Sequence, residues 1–468
     1  MGRFSLCILF LGPLATPSPA QTFTTLASFN LTDGADPWSM SLVQGIDGNL
    51  FGTTLGGGIA HTNCATGYPG CGGIFEITTA GTLTVVHKFD GTDGANPLAG
   101  LLLATGGNLY AATSSGYGGV DTCGTIYDVA RRTPLHVFQG GDGCGPNQLI
   151  EAADGNFYGT TAGGGTDYRA GTIFKITPAG DLTVLHRFTG TDGADPSAAL
   201  LEALDGNFYG TTTQGGANGY GTIFKTAPDG SFTSLYNFGA NVTDDDGIFP
   251  YSALVQGPAG NFYGTTSEGG AYGCCGTVFK MTPEGALTTL HSFCAQNCTD
   301  GYYVYDGLLQ ATDGNFYGTT DEVAGSIDCG TIFRITPGGA FTVLHTFDGT
   351  DGCGPHGGLS QGTDGALFGA TTLGGANGYG SVYSLAVGLP PFVKTLPHTA
   401  TRGSAIKILG TNLTGTVSVS FNGAAAVFTV VSPTEIDTTV PIGATTGKIQ
   451  VATPGGTLLS GGPFLVRH

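Results

Sequence analysis

One unit recurs seven times along residues 21–388, and no other feature narrows the fold as far. Its anchor is an Asp-Gly-Asn-(Phe/Leu)-(Tyr/Phe)-Gly-Thr-Thr run. It begins at Asp47, Gly106, Asp154, Asp205, Ala259, Asp313 and Asp364, at spacings of 59, 48, 51, 54, 54 and 51 residues. A period of this size belongs to solenoids, propellers or arrays. Around Asp313 the unit holds four strand-like runs. Residues 307–311 (GLLQA) are apolar, and Asp313-Gly314-Asn315 is hairpin chemistry because these residues tolerate positive φ. Residues 316–320 (FYGTT) are aromatic and β-branched, 330–336 (GTIFRIT) alternate with a period of two, and 341–347 (FTVLHTF) form the fourth run. We label these runs A to D. No stretch shows a sustained helical period.

Four strands per repeat match a propeller blade. Run D is displaced: a lone copy, 23–29 (FTTLASF), precedes the first unit, and the last unit ends after its C run, 380–386 (GSVYSLA). The N-terminal strand can therefore complete the last blade and remove two open sheet edges. An open β-solenoid is the rival, and it gives no reason for this displacement. The expected fold is all-β: a seven-bladed propeller over 21–388, followed by a small immunoglobulin-like sandwich over 389–468.

Composition removes other classes. Gly occurs 84 times but without a period of three, which excludes collagen. The charged fraction is only 10%, yet no run after the first residues reaches the roughly 18 apolar residues of a spanning helix. The formal charge of −19 argues against nucleic acid and anionic membranes as partners. Residues 21–389 hold 9 basic and 32 acidic residues, the tail 5 and 2. Most of the acids are Asp in Asp-Gly turns, so turn chemistry accounts for the acidity. Residues 1–20 read as a secretory signal peptide: Arg3, an apolar stretch, then Ser18-Pro19-Ala20. The expected location is secreted or on the cell surface, with no transmembrane segment in the mature chain.

The units, with DGNFYGTT, GTIFKITP and LTVLHxFxGTDGxxP, resemble the GloVer (Gloeo/Verruco) tandem repeats of exported bacterial proteins over nearly all of 21–388. The resemblance implies an exported repeat protein and brings no catalytic residues. Residues 408–413 (ILGTNL), 419–423 (VSFNG), Val440-Pro441 and 447–451 (GKIQV) resemble the IPT/TIG domain. That likeness implies an immunoglobulin-like spacer or interaction module.

Ten cysteines follow the leader, an even number that favours disulfides. Cys123 and Cys329 both precede the Gly-Thr that opens run C, and their units alone carry Asp-Gly-Cys-Gly-Pro loops, at Cys144 and Cys353. The B–C and D–A connections share one propeller face, so Cys123 pairs with Cys144 and Cys329 with Cys353. Cys64 pairs with Cys71. Pairing among Cys274, Cys275, Cys294 and Cys298 stays open.

Residues at the start of run A vary most between copies: Trp38, Leu98, Asn147, Ser197, Tyr251, Tyr305 and His356. Scaffold positions repeat, whereas a site needs a different group from each blade. Trp38, Asn147, Arg169, Tyr251, Tyr305 and His356 are the candidate ligand residues, suited to carbohydrate or peptide through stacking and hydrogen bonds. Tyr117, Tyr168, Tyr220, Tyr272 and Tyr379 add aromatic groups from the B–C loops. Gly358-Leu359-Ser360-Gln361-Gly362 fits a nucleophile motif but falls in an A run, not on a strand-to-helix turn. His87, His136, His186, His291 and His345 recur in run D and read as packing or inter-blade hydrogen bonding. Asp244-Asp245-Asp246-Gly247 lacks the full calcium-loop pattern. No cofactor, metal or catalytic residue is read. The expected function is non-catalytic binding of an extracellular polysaccharide or surface protein. A polysaccharide lyase or glycoside hydrolase built on the propeller, and a purely structural repeat, are the alternatives.

Overall fold

Runs B and C form the buried middle of every unit. In the B strand Phe208–Thr212 all five residues are buried, and in the C strand Thr172–Ile176 only Lys175 reaches solvent. The Gly inside FYGTT is fixed by crowding: a Cβ on Gly210 would lie 2.5 Å from Cζ of Phe224 on the neighbouring strand. A computed structural model describes residues 21–38, 41–59, 64, 70–115, 123–165, 169–240, 245–295, 297–323 and 329–467. The leader expected over 1–20 and Tyr117, Tyr168 and Asp244 lie outside them.

Seven antiparallel sheets follow one another, each in the order A-B-C-D. Blade 6 is typical: Leu309–Gln310, Phe316–Thr320, Thr331–Ile335 and Phe341–Thr346. Blade 3 gains a short strand, Cys144–Pro146, on its B strand. Blade 7 takes Ser360–Gln361, Leu367–Thr371 and Ser381–Ala386 from the last unit, and its outer strand is Thr22–Ser28. Thr22 sits opposite Ala386 and Ser28 opposite Ser381. The two ends of the repeat region thus close a ring, which an open solenoid would not do. Every C–D pair contains a register shift at the same place, for example between Ile173 and Phe174. A bulge there increases the twist of each outer edge.

The A strands are shorter than the apolar runs suggest, two residues each. They lie innermost, where seven chains converge. A Cβ on Gly307 would come within 3.2 Å of the Ala253 carbonyl of the preceding blade. Their last residues clasp neighbouring blades. Gln44 accepts from the Thr363 N–H, Glu151 from Thr105, Glu202 from Ala153, Gln256 from Leu204 and Gln361 from Thr312. In blade 5 the corresponding donor position is Pro258, which has no N–H.

The histidine column packs between blades and hydrogen-bonds the loop that follows its own strand. His87, His136, His186 and His345 each contact the Asp six residues on, at 2.7 to 2.9 Å, and His291 contacts Asp300. His186, His291 and His345 also stack on Phe232, Phe341 and Phe23 of the next blade. In blade 4 Tyr236 donates to Asp246 at 2.6 Å, so that carboxylate is engaged within the fold. The hairpin Asp residues are likewise structural: Asp154 accepts from Asn156, Tyr158 and Lys175, and Asp205 from Asn207, Tyr209 and Lys225. Disulfides join Cys64–Cys71, Cys123–Cys144, Cys274–Cys275, Cys294–Cys298 and Cys329–Cys353.

The C-terminal segment packs two sheets around Ile408, Val419, Phe421, Ile436, Val451 and Phe464. One sheet holds Lys394–Leu396, Ala405–Leu409, Glu435–Thr439 and Phe428–Ser432. The other holds Ala424–Ala425, Ser418–Phe421, Ile449–Thr453 and Gly456–Leu459. This sandwich meets the A–B turns of the ring. Thr434 donates to the Ile46 carbonyl, the Phe392 N–H to Thr363, and Arg467 pairs with Glu202 at 3.2 Å. It therefore covers the end of the ring opposite the D–A loops.

Candidate functional site

The D–A loops shape the open end. Each carries Asp-Gly-x-x, with Pro next in every blade but blade 6, and the fourth residue adopts the left-handed conformation in all seven blades. These are Asp36, Asn96, Gly145, Asp195, Phe249, Tyr303 and Gly354, with φ between 53° and 65°. Gly, Asn and Asp accept that conformation readily, whereas Phe249 and Tyr303 are held there against a steric cost of roughly 1–2 kcal/mol. The turn aims the residue two positions further on at the ring axis. Trp38, Leu98, Asn147, Ser197, Tyr251, Tyr305 and His356 consequently line one cavity of about 560 Å³.

Within this mouth four blades build an aromatic wall. The Trp38 and His356 rings stack at 4.0 Å, and Tyr305 stacks on His356 at 5.1 Å. Tyr303 continues the stack behind Tyr305, and Tyr251 meets Tyr305 edge-on at 5.6 Å. His356 is fixed by Asp321, whose Oδ1 lies 2.8 Å from its Nε2. Its Nδ1 is sealed from solvent and has no hydrogen-bond partner.

Two further carboxyl groups stand beside the wall. Asp36 Oδ1 and Asp306 Oδ2 are sealed and have no partner. Burial raises Asp36 to about 6, offset in part by attraction to His356. Burial also pushes Asp306 well above the usual carboxylate range. Tyr305 is raised to about 12 by burial and by Asp321, and Tyr251 is raised by burial and by Asp195 and Glu268. No Lys or Arg is among the described residues that line the cavity.

The other candidates have different surroundings. Asn147 uses its amide on the Thr160 hydroxyl and the Pro196 carbonyl, at 3.0 and 2.5 Å. Ser197 donates to Asp195. Arg169 is exposed and outside the cavity lining, as are Tyr220, Tyr272 and Tyr379. Ser360 lies in an A strand opposite Phe368. Asp36, Asp306 and Asp321 escaped the sequence reading. A signal existed for two of them. Asp321 stands where other copies have Leu55, Ser114, Ala162, Thr213, Ser267 and Thr372. Asp306 stands where they have Ser39, Ala99, Gln148, Ala198, Ser252 and Gly357.

Comparison with known proteins adds the following. The family model described as the Gloeobacter/Verrucomicrobia repeat matches residues 14–167, 117–326 and 257–425, and the IPT/TIG domain matches 395–466. No curated protein matches the sequence. Among solved structures, a fungal alcohol oxidase of the AA5 family, in complex with copper, superposes with a TM-score of 0.52. It has 14% identity, over 96% of this chain and 99% of that one. The extracellular domain of a putative hybrid two-component system from Bacteroides thetaiotaomicron has a TM-score of 0.49 at 12% identity, over 96% of this chain and 59% of that one. PorZ, a surface component of the type-IX secretion system of Porphyromonas gingivalis, has 0.45 at 12% identity, over 90% and 58%. At such identities the first likeness speaks for the fold alone.

Proposed function

This chain belongs to the Gloeobacter/Verrucomicrobia repeat family, and we propose from that premise that it is an exported binding protein whose propeller mouth holds an extracellular carbohydrate. The observation that carries the reading is the mouth itself. Seven non-equivalent residues, one per blade, converge on one cavity, and four of them are Trp38, Tyr251, Tyr305 and His356. Aromatic groups with polar edges suit sugar rings, which offer apolar faces and hydroxyl rims. Five disulfides favour an oxidising compartment, in keeping with a leader over 1–20. The IPT/TIG domain, packed against the closed end, serves as the base that presents the mouth outward.

The test mixes the mature protein with insoluble plant, algal and microbial polysaccharides and measures both depleted protein and released sugar. Binding that falls about tenfold or more in Tyr251→Ala, the loss expected of an aromatic anchor, supports the reading. Binding unchanged by Tyr251→Ala and Trp38→Ala together contradicts it. A second reading, a polysaccharide-cleaving enzyme, is favoured by one observation. Asp306 sits in the cavity wall, where burial pushes its carboxyl well above the usual carboxylate range, the direction a general acid requires. Sugar release abolished by Asp306→Asn would establish that reading.

A further inference from the structure

We propose that the mouth selects glycans bearing protonated amino groups over neutral and uronic-acid glycans; this rests on the carbohydrate reading above and names its ligand class. The mouth gathers carboxyl groups. Asp306 and Asp321 line the cavity, Asp36 adjoins His356, and the described lining contains no Lys or Arg. Among the described lining residues His356 is the one basic side chain, and Asp321 already holds it.

Elsewhere in the ring many carboxylates are paired, although Asp128 Oδ2 and Asp246 Oδ1 are also sealed without a hydrogen-bond partner. Asp93 has His87, Asp154 has Lys175 and Asp205 has Lys225. At the mouth three such atoms gather: Asp36 Oδ1, Asp306 Oδ2 and His356 Nδ1. His356 is only 9% exposed, so this is a buried polar side chain left incomplete within the cavity lining. Buried polar groups are normally satisfied, and clustered exceptions mark a place where something binds. An ammonium group would supply donors to the carboxylates and a positive charge that favours the ionised form of Asp36. Tyr251 and Tyr305 add the ring electrons that attract a cation. A uronate would bring a like charge to the same spot.

The test titrates the mature protein with three soluble probes of equal length. These are a glucosamine hexamer at a pH that keeps its amines protonated, the N-acetylglucosamine hexamer and a galacturonic acid hexamer. Trp38 is the sole tryptophan of the chain and part of the wall, so its emission reports the mouth directly. The glucosamine hexamer is expected to bind about tenfold or more tighter than the acetylated one, as a charge-assisted contact predicts. The galacturonate hexamer is expected not to bind. The preference should shrink in Asp306→Asn and Asp321→Asn and persist in Asp229→Asn, which removes an exposed turn carboxylate. Circular dichroism checks that each variant folds. A preference equally sensitive to Asp229→Asn would mean attraction to the net charge of the chain and would overturn the proposal. Tighter binding of the acetylated or galacturonate hexamer would overturn it while leaving the carbohydrate reading intact. Binding of none of the three, together with no polysaccharide binding in the depletion assay, would remove both.

Discussion

Replacing Asp36 by Asn should make the protein more stable at neutral pH and leave it unchanged in acid. Asp36 occupies a left-handed turn position, φ 56°, with its Oδ1 sealed and unpaired, and burial raises its pKa from 3.8 to about 6. Each pKa unit corresponds to about 1.4 kcal/mol, so the raised value represents a cost of about 3 kcal/mol once the group is ionised in both states. The sign follows from proton uptake. Below the unfolded value both states hold the proton and there is no cost. Between 3.8 and about 6 the unfolded chain gives up its proton first, so stability falls as pH rises. Above that window the full cost persists. Asn carries no charge and accepts the left-handed conformation. The equivalent position in blade 2 is already Asn96, whose amide donates to the Leu55 carbonyl at 2.9 Å. By repeat equivalence an Asn at 36 faces the Thr372 carbonyl. Urea unfolding followed by circular dichroism at about pH 3 and about pH 7.5 measures the difference. The variant should gain up to about 3 kcal/mol at the higher pH and nothing at the lower. An equal gain at both, or a loss at the higher pH, would refute the argument.

Three further outcomes follow from the same contacts. Deleting residues 21–29 leaves the Ser381–Ala386 strand without its outer partner. Soluble yield should collapse or blade 7 become protease-labile, and a peptide of residues 21–29 added during refolding should restore resistance. Substituting Cys123 and Cys144 by Ser opens a loop of sequence separation 21. It should lower stability by about 3 kcal/mol on the chain-entropy account, read as a shifted urea midpoint that reductant no longer changes at this pair. Lys394, at the closed end of the ring, is lowered by burial from 10.5 to about 8. Lys394→Met should therefore stabilise by about 3 kcal/mol at neutral pH. The advantage should fade as pH rises from about 8 to 10.5, where the folded lysine loses its proton first.

The ring was legible because its evidence is one-dimensional. A lone D run at the front and a missing one at the end fix the closure of Thr22–Ser28 onto Ser381–Ala386. The mouth was legible by the same logic, since residues that differ between copies stand out against those that repeat. What stayed hidden depends on the third dimension. Asp36 looked like another turn Asp because Asp195 shares its position, and only the packing of blades 7 and 1 sets it beside His356. Asn147 and Ser197 varied between copies as a ligand contact would, yet Asn147 spends its amide on the neighbouring D–A loop and Ser197 its hydroxyl on Asp195 of its own loop. Arg169 differs between copies too, but its B–C loop holds it away from the axis. The A strands came out short because sequence pattern registers apolarity, not the crowding of seven chains around one axis.

On this reading the axis-facing mouth, and no other surface, binds the ligand. Hydroxyl-radical footprinting with and without a saturating polysaccharide ligand tests it most directly. The account predicts protection of Trp38, Tyr251 and Tyr305 with unchanged labelling of the exposed B–C loop residues Tyr220, Tyr272 and Tyr379. Protection confined to those loop tyrosines, or to the exposed Val427 and Val431 of the C-terminal sandwich, would contradict it.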